Sequence, residues 1–284
     1  MDLRERIEQM SKDFTSAERK LASALLSDYP FAGLETIQSF AQKTHTSAPS
    51  ITRFVQKLGM NGYQEFQRRL IGELKESNLS PVQLRRGSMP VKDSFLREHL
   101  SDTAQIVASV SDGVTATQFE RVCGLLADQK RAIFFLGGRI SDPILQYLSR
   151  HLRQIRQNVF HLPADTEVWP EYLLRMRPRD IFVTIDFRRY EARLEDLSAK
   201  IANKRGSQII LITDKWLSPV ARHANEVLTI PIESASAWGT YSGALALTEA
   251  MITYISEQDW DATEKRIGQW DALRLDNEDA DLEE

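Results

Sequence analysis

Cysteine is close to absent from this chain. The single one, Cys123, stands in the apolar run VCGLLA with no second thiol to pair with. That rules out a disulfide framework and any paired-cysteine redox or zinc motif, and leaves a buried structural thiol. The five histidines include no pair at metal-ligand spacing, so no metal and no other cofactor is expected. A GxSxG elbow, an HExxH helix and a P-loop lysine pattern are also missing. No apolar run is long enough to cross a bilayer, and the N-terminus shows no secretory signal pattern. A cytoplasmic protein without a membrane partner is therefore expected.

What is present is the composition of an ordinary soluble protein, 42% hydrophobic and 27% charged. With 284 residues the chain has room for roughly two domains, each with its own core. The net charge of −4 looks unsuited to a nucleic-acid partner until it is split by position. Residues 257–284 hold eleven Asp or Glu against three Lys or Arg, a net of −8, so the chain before them carries +4. Such an acidic tail is usually a solvated, partly disordered end, with one amphipathic helix through Trp260, Ile267, Trp270 and Leu273 as the alternative. Residues 47–75 carry five Lys or Arg against two Glu, a local +3 that suffices for phosphate contacts in an oligomer.

The chain is organised around residues 36–59, TIQSFAQKTHTSAPSITRFVQKLG. Ile37, Phe40 and Ala41 share one face at helical spacing, as do Ile51, Phe54, Val55 and Leu58, so two short helices can close on each other. Ala41 is small where two backbones cross. Ser47 suits an N-cap, with Pro49 in the first turn that follows. Between the helices Thr44-His45-Thr46 must turn the chain, at a position where glycine is usual and histidine is tolerated. With Ile51 and Phe54 inward, Ser47, Ser50, Thr52, Arg53, Gln56 and Lys57 face outward. Hydroxyls, an amide and two cations make a face able to read a DNA groove; a solvated helix of any small helical domain is the alternative.

The flanks fit a helix-turn-helix. Thr15 and Glu18 form a capping box before a stripe of Ala17, Leu21, Ala24 and Leu25. Asn61-Gly62 turns the chain into a helix over 63–75 with Phe66, Leu70 and Leu74 inward and Arg68 and Arg69 outward, where they could meet phosphates or form ordinary helix surface. In the capped first helix, TIQSFA, SAPSITRFVQKLG and GYQEFQRRL, residues 1–77 resemble the N-terminal domain of the RpiR/MurR family of bacterial transcription regulators. The resemblance implies a helix-turn-helix domain followed by a sugar isomerase (SIS) domain that senses a metabolite, commonly a phosphosugar.

The remaining sequence can be read against that expectation. Residues 78–93 shift to Ser, Pro, Gly and Arg and are the linker candidate. From Phe95 onward, short apolar runs alternate with amphipathic segments, the mark of a parallel sheet. Strands are expected at 132–136, 159–162, 180–185, 208–213 and 226–230, and helices at 95–110, 117–128, 143–155, 189–204 and 243–256. The fold class is thus an all-α helix-turn-helix domain plus an α/β, SIS-like domain over 94–256 with a five-stranded parallel sheet and helices on both faces.

Ligands of such sheets sit beyond the carboxyl ends of the strands. After the first strand comes Gly137-Gly138-Arg139-Ile140-Ser141, opening a helix. Glycines let backbone amides approach an anion, though many strand-to-helix turns use glycine anyway. The segment is similar to the opening loop of SIS domains, in which a glycine pair and a serine hold the ligand. ITDKWLSPVARHANEVLTI resembles the family's fourth strand, Ser-Pro turn and fifth strand.

The loop after the third strand departs from the family. Where SIS domains carry a Ser/Thr/Gly-rich phosphate cradle, this chain has Asp186-Phe187-Arg188-Arg189-Tyr190-Glu191. Arg188 and Arg189 replace the cradle and bind an anion, or the loop only packs and makes ion pairs, or Asp186 and the arginines serve a subunit interface. The loop 231–242, PIESASAWGTYS, offers Glu233, Ser234, Ser236 and Ser242, either to a pocket or as a polar cap on the next helix.

An isomerase would need a tuned base, and only Glu233 and His223 present themselves, neither in a telling motif. A regulator, not an enzyme, is expected. Its partners would be a double-stranded, pseudo-palindromic DNA operator and a small anionic effector such as a sugar phosphate or sugar acid, and it would act as a homodimer or homotetramer.

Overall fold

Helix caps fix the geometry of the N-terminal part. The computed structural model describes residues 3–27, 29–77 and 93–275, with positions 82 and 85 besides. Most of the expected linker, and residues 276–284 of the acidic tail, lie outside the described residues. Helix α1 spans Leu3–Met10 and α2 Ser16–Ser27, opened by the capping box: Glu18 N–H donates to Thr15 Oγ1 at 3.3 Å and Thr15 N–H to Glu18 Oε2 at 2.7 Å. Helices α3 (Ile37–Thr44), α4 (Ala48–Lys57) and α5 (Tyr63–Ser77) follow. The residues spaced for the inner faces are sealed: Leu21, Leu25, Phe40, Ile51, Phe54, Val55, Leu58, Phe66 and Leu70 form one core. Each such side chain contributes about 1.5 to 3 kcal/mol. The side chain of Leu74 lies outside the described residues. This unit is the head.

The second unit, the sensor, begins with α6 (Phe95–Ala108), a short α7 (Val110–Gly113) and α8 (Ala116–Ala127). Then β1 (Ile133–Phe135), α9 (Asp142–Ile155), β2 (Val159–His161), α10 (Trp169–Arg175), β3 (Ile181–Asp186), α11 (Ala192–Lys200), β4 (Gln208–Thr213) and β5 (Glu226–Thr229) build a parallel sheet in the order β2-β1-β3-β4-β5. Every residue of β3 is buried, as a central strand covered on both faces requires. One face packs Ile133, Phe135, Val183 and Ile210 against α8, α9 and α12 (Ser242–Gln258), with Cys123 inside that layer. The other packs Phe134, Phe182, Ile209 and Leu211 against α10 and α11. Burial pushes the Cys123 thiol up to about 12, which fits an inert structural role.

Three elements depart from the expected boundaries. The helix expected from Arg189 starts at Ala192, because Arg189 adopts φ 66°, a left-handed conformation that cannot continue a helix, and it ends in a π turn at Ile201–Arg205. Helix α10, which the periodicity missed, is a seven-residue element opened by a proline in its first turn. The acidic tail, expected to be solvated and partly disordered, continues as helix α13 (Trp260–Leu275), anchored where Arg266 donates to the carbonyl of Arg153 at 3.0 and 3.2 Å. Its buried side is centred on Thr263, while Trp260, Trp270 and Leu273 stay exposed, so the stripe drawn through the tryptophans is not the packed face.

Head and sensor touch at the turn after β4. Leu217, at φ 59° and 5% exposed, belongs to the head's apolar core, and the Arg222 guanidinium lies 4.0 Å from the centre of the Phe31 ring.

Candidate functional site

The reading face of the head follows from two caps. Thr36 Oγ1 accepts from Ser39 N–H at 3.1 Å and starts α3, and Ser47 Oγ accepts from Ser50 N–H at 3.3 Å and starts α4. His45 takes φ 50° between them, in the left-handed place where glycine is usual. Arg53 and Gln56 stand exposed on α4, with Ser47 at its start. The Ser47 and Ser50 hydroxyls meet at 2.9 Å, and Arg53 reaches Ser50 Oγ at 3.5 Å. Thr52 bonds back to the Ala48 carbonyl at 3.1 Å.

Lys57 is turned to another task. Its Nζ donates to the Asp13 carbonyl at 2.7 Å and to Glu18 Oε2 at 2.9 Å, and sits 5.5 Å from the Phe14 ring centre, so it braces α4 against α2. Burial works to raise the Glu18 carboxyl, but bonds from Thr15 and Lys57 hold it below the usual range. Arg68 is exposed on α5, while Arg69 lies 3.9 Å from Glu73.

In the sensor, β1 and β3 lie side by side while their connections leave in opposite directions. A cavity of about 630 Å³ opens at that point. This is where ligands of open α/β sheets bind. Gly138, Arg139, Ile140 and Ser141 line it after β1. Asp186, Phe187, Arg188, Arg189, Glu191 and Arg193 line it after β3, and Ile232, Ala237, Trp238 and Tyr241 from the loop after β5.

Six expected ligand residues therefore converge: Gly138, Arg139, Ser141, Asp186, Arg188 and Arg189. Five do not line the cavity. Gly137 lies behind the loop, where a Cβ would come within 2.8 Å of the Asp142 backbone and where its N–H donates to Asp142 Oδ1 at 2.7 Å. Glu233 pairs with Lys215 at 2.5 Å, the Ser234 and Ser236 hydroxyls bond each other at 3.1 Å, and Ser242 accepts from Thr240 at 3.0 Å, so that loop mostly satisfies itself. Arg193 and Glu191 are not among the expected site residues: the direction of Arg193 depends on helix phase, set by Ala192 as the first helical residue, and Glu191, the extended N-cap, finds its partner 52 positions away. Trp238, 79% exposed at the rim, carried one available signal, a large aromatic alone in a polar loop.

The cavity is cationic at its mouth and acidic beneath. The guanidinium groups of Arg139 and Arg189 hold no hydrogen bond or ion pair among the described residues, and Arg188 stacks 4.9 Å from the Trp216 ring centre. Asp186, 2% exposed, accepts from Ser218 Oγ, and burial pushes its carboxyl up to about 7, with the charges of Asp214 and Glu191 adding to the shift. Asp214 is raised to about 6 by burial, against bonds donated by Tyr190 Oη at 2.6 Å, Arg188 N–H at 2.6 Å and Trp216 N–H at 3.1 Å.

Ser141 spends its hydroxyl on the Ile185 carbonyl at 2.8 Å. Asp142 opens α9 and accepts from His161 Nε2 at 2.9 Å; burial opposes its ionisation, but the bonds from His161, Gln146 and Gly137 hold its carboxyl below the usual range. Neither isomerase base candidate, Glu233 or His223, lines the cavity. Such a site can hold an anion, and it sets beneath it two buried acids whose carboxyls are raised above the usual range.

Known proteins match both halves in the same order. The helix-turn-helix domain of the rpiR family matches residues 1–77 and the SIS domain matches residues 125–254. An uncharacterised HTH-type transcriptional regulator of Thermotoga maritima is 24% identical over 229 residues, 80% of this chain and 81% of that protein. The HTH-type transcriptional regulator HexR of Pseudomonas aeruginosa is 25% identical over 235 residues, 81% of this chain and 79% of that one. Among solved structures, the Vibrio vulnificus NanR protein complexed with ManNAc-6P shares the fold at TM-score 0.54 and 16% identity, over 96% of this chain and 98% of that one.

Proposed function

The chain belongs to the RpiR-type transcriptional regulators, an N-terminal helix-turn-helix domain followed by an SIS domain, and on that premise we propose that it binds a pseudo-palindromic operator through paired α4 helices and responds to a small anionic metabolite held in the arginine-lined cavity. It is a regulator and not an enzyme. The observation that carries the ligand reading is the set of cations at the switch point: Arg139 and Arg189 are uncommitted beside the glycine loop, where guanidinium groups can take a carboxylate or phosphate bidentately. That NanR was solved with ManNAc-6P supports a carbohydrate-derived effector here.

DNA binding requires at least a dimer, whose two heads would meet successive major grooves about 34 Å apart. Phe95, Leu96 and Leu100 on α6 are exposed apolar residues suited to pairing with a second copy. Residues 78–93 would then be the joint between head and sensor, and effector binding would shift the balance between two arrangements of the heads.

The test is a thermal-shift screen of the full chain against sugar phosphates, sugar acids and uncharged sugars, with Arg188→Ala/Arg189→Ala as control. A ligand at 100 times its dissociation constant adds about 2.7 kcal/mol. The expected result is stabilisation by an anion class that the double variant loses. A second reading, a sensor that only pairs the heads, draws on the glycine-loop amides already bonded within the chain; it would be selected by the absence of any shift.

A further inference from the structure

The cavity wall already holds a bonded carboxylate of the chain itself, that of Glu191. Gly138 N–H donates to the Ile185 carbonyl at 2.9 Å, and the next amide, Arg139 N–H, donates to Glu191 Oε1 from 52 positions away in sequence. The other oxygen, Glu191 Oε2, accepts from Arg193 Nε. A carboxylate lying between a backbone amide of the turn before α9 and a guanidinium is held as a protein holds a ligand's carboxylate. Gly138 lies against the same group of atoms: a Cβ there would come within 3.1 Å of Ser141 Oγ, with Asp186 Oδ1 at 3.4 Å and Glu191 Oε1 at 3.6 Å. The cavity opens directly onto this carboxylate, and the guanidinium groups of Arg139 and Arg189, unbonded among the described residues, stand on its wall.

We propose that Glu191 is the tethered occupant of the pocket's anion position, and that the effector is a small carboxylate of the sugar-acid class which displaces it from the Arg139 amide and the Arg193 guanidinium. The effector class rests on the reading of the cavity as a metabolite site. Charge selects carboxylate over phosphate: exchanging one carboxylate for another leaves the charge beside buried Asp186 and Asp214 unchanged, whereas a phosphate dianion adds a second negative charge there. Displacement also has a route outward. Glu191 immediately precedes α11, whose Glu195 pairs with Arg222 at 3.2 Å, and Arg222 covers Phe31 of the head.

The test uses Glu191→Ala in the full chain, with propionate as a free carboxylate and propionamide as its neutral isostere. The variant should melt lower than the parent and regain about 2 to 4 °C in propionate, with no gain in propionamide and no movement of the parent protein. Equal effects of propionate on both proteins, or none on either, would overturn the role of Glu191. Should Glu191→Ala fail to fold, Glu191→Gln keeps the shape and removes the charge; it should bind D-gluconate about tenfold or more tightly than the parent, and equal affinity would overturn the proposal. Rescue by propionate combined with no response of the parent to any metabolite class would instead overturn the metabolite reading and the effector class with it.

Discussion

On α4, Arg53 and Gln56 stand in solvent directly beside Phe54 and Val55, which are fully sealed. At the ends of β3 and β4, Asp186 and Asp214 are nearly as buried as any leucine, and each is held by the chain's own hydroxyls and amides. The head thus keeps its polar residues available by putting them on the far side of a helix from its core. The sensor keeps its own in low dielectric, where a single charge shifts its neighbours' ionisation. The head should accordingly respond to loss of a contact, and the sensor to a change of charge.

The sharpest test on the head side is Arg53→Ala, which should cost the cognate operator about 1 to 3 kcal/mol and relax specificity at the base it reads. Fluorescence anisotropy on cognate and random duplexes separates the cases, because equal loss on both would make Arg53 a phosphate contact like any other.

On the sensor side pH is the probe. Asp186, raised to about 7, faces Glu191 and Asp214 and is hydrogen-bonded by Ser218 and the Glu191 amide. Its folded value lies above the unfolded 3.8, so its stabilising effect is full below 3.8 and is lost as pH rises through about 7. The melting temperature of Asp186→Asn should therefore fall less than the parent's between pH 5 and 8. Anion affinity of the parent should rise up to about tenfold from pH 8 to pH 6, and a variant profile as steep as the parent's would assign the titration elsewhere.

The smallest effect tests a residue that crosses the comparison. Lys57→Ala should lower the stability of the head by about 1 kcal/mol through the lost bonds to Glu18 and Asp13, while the salt slope of DNA binding stays unchanged. A slope reduced by about one would instead make Lys57 a phosphate contact.

The same contrast explains what could be read in advance. Ser47, Pro49, His45 and the Ile51/Phe54 spacing specify the helix-turn-helix locally, within one turn of each residue, so periodicity and capping chemistry sufficed. The five strands were legible for the same reason, as short apolar runs. The cavity is assembled from loops after β1, β3 and β5, separated by dozens of residues, and only its position followed from the fold. Glu191 could not be seen as the partner of Arg139, because nothing local sets their distance. The serines of 231–242 allowed two readings, a pocket wall or a polar cap, and their chemistry alone could not choose; Ser234, Ser236 and Ser242 find partners within the loop. In the tail the helical alternative holds over Trp260–Leu275, but it docks by way of Thr263 and Arg266 and not through the tryptophan stripe.

Three consecutive residues after β4 look toward three different places. Trp216 lies under Arg188 of the cavity, Leu217 enters the core of the head, and Ser218 is bonded to Asp186. The head's core is therefore completed by a side chain from the other unit, encoded 140 positions after the last residue of α5. A chimaera made by cutting at the joint between the two units would carry a foreign head onto a leucine it was not shaped to receive. Recombining heads and sensors among such regulators is a problem of matching position 217 to its socket, and the splice that respects the fold must take this turn along with the head.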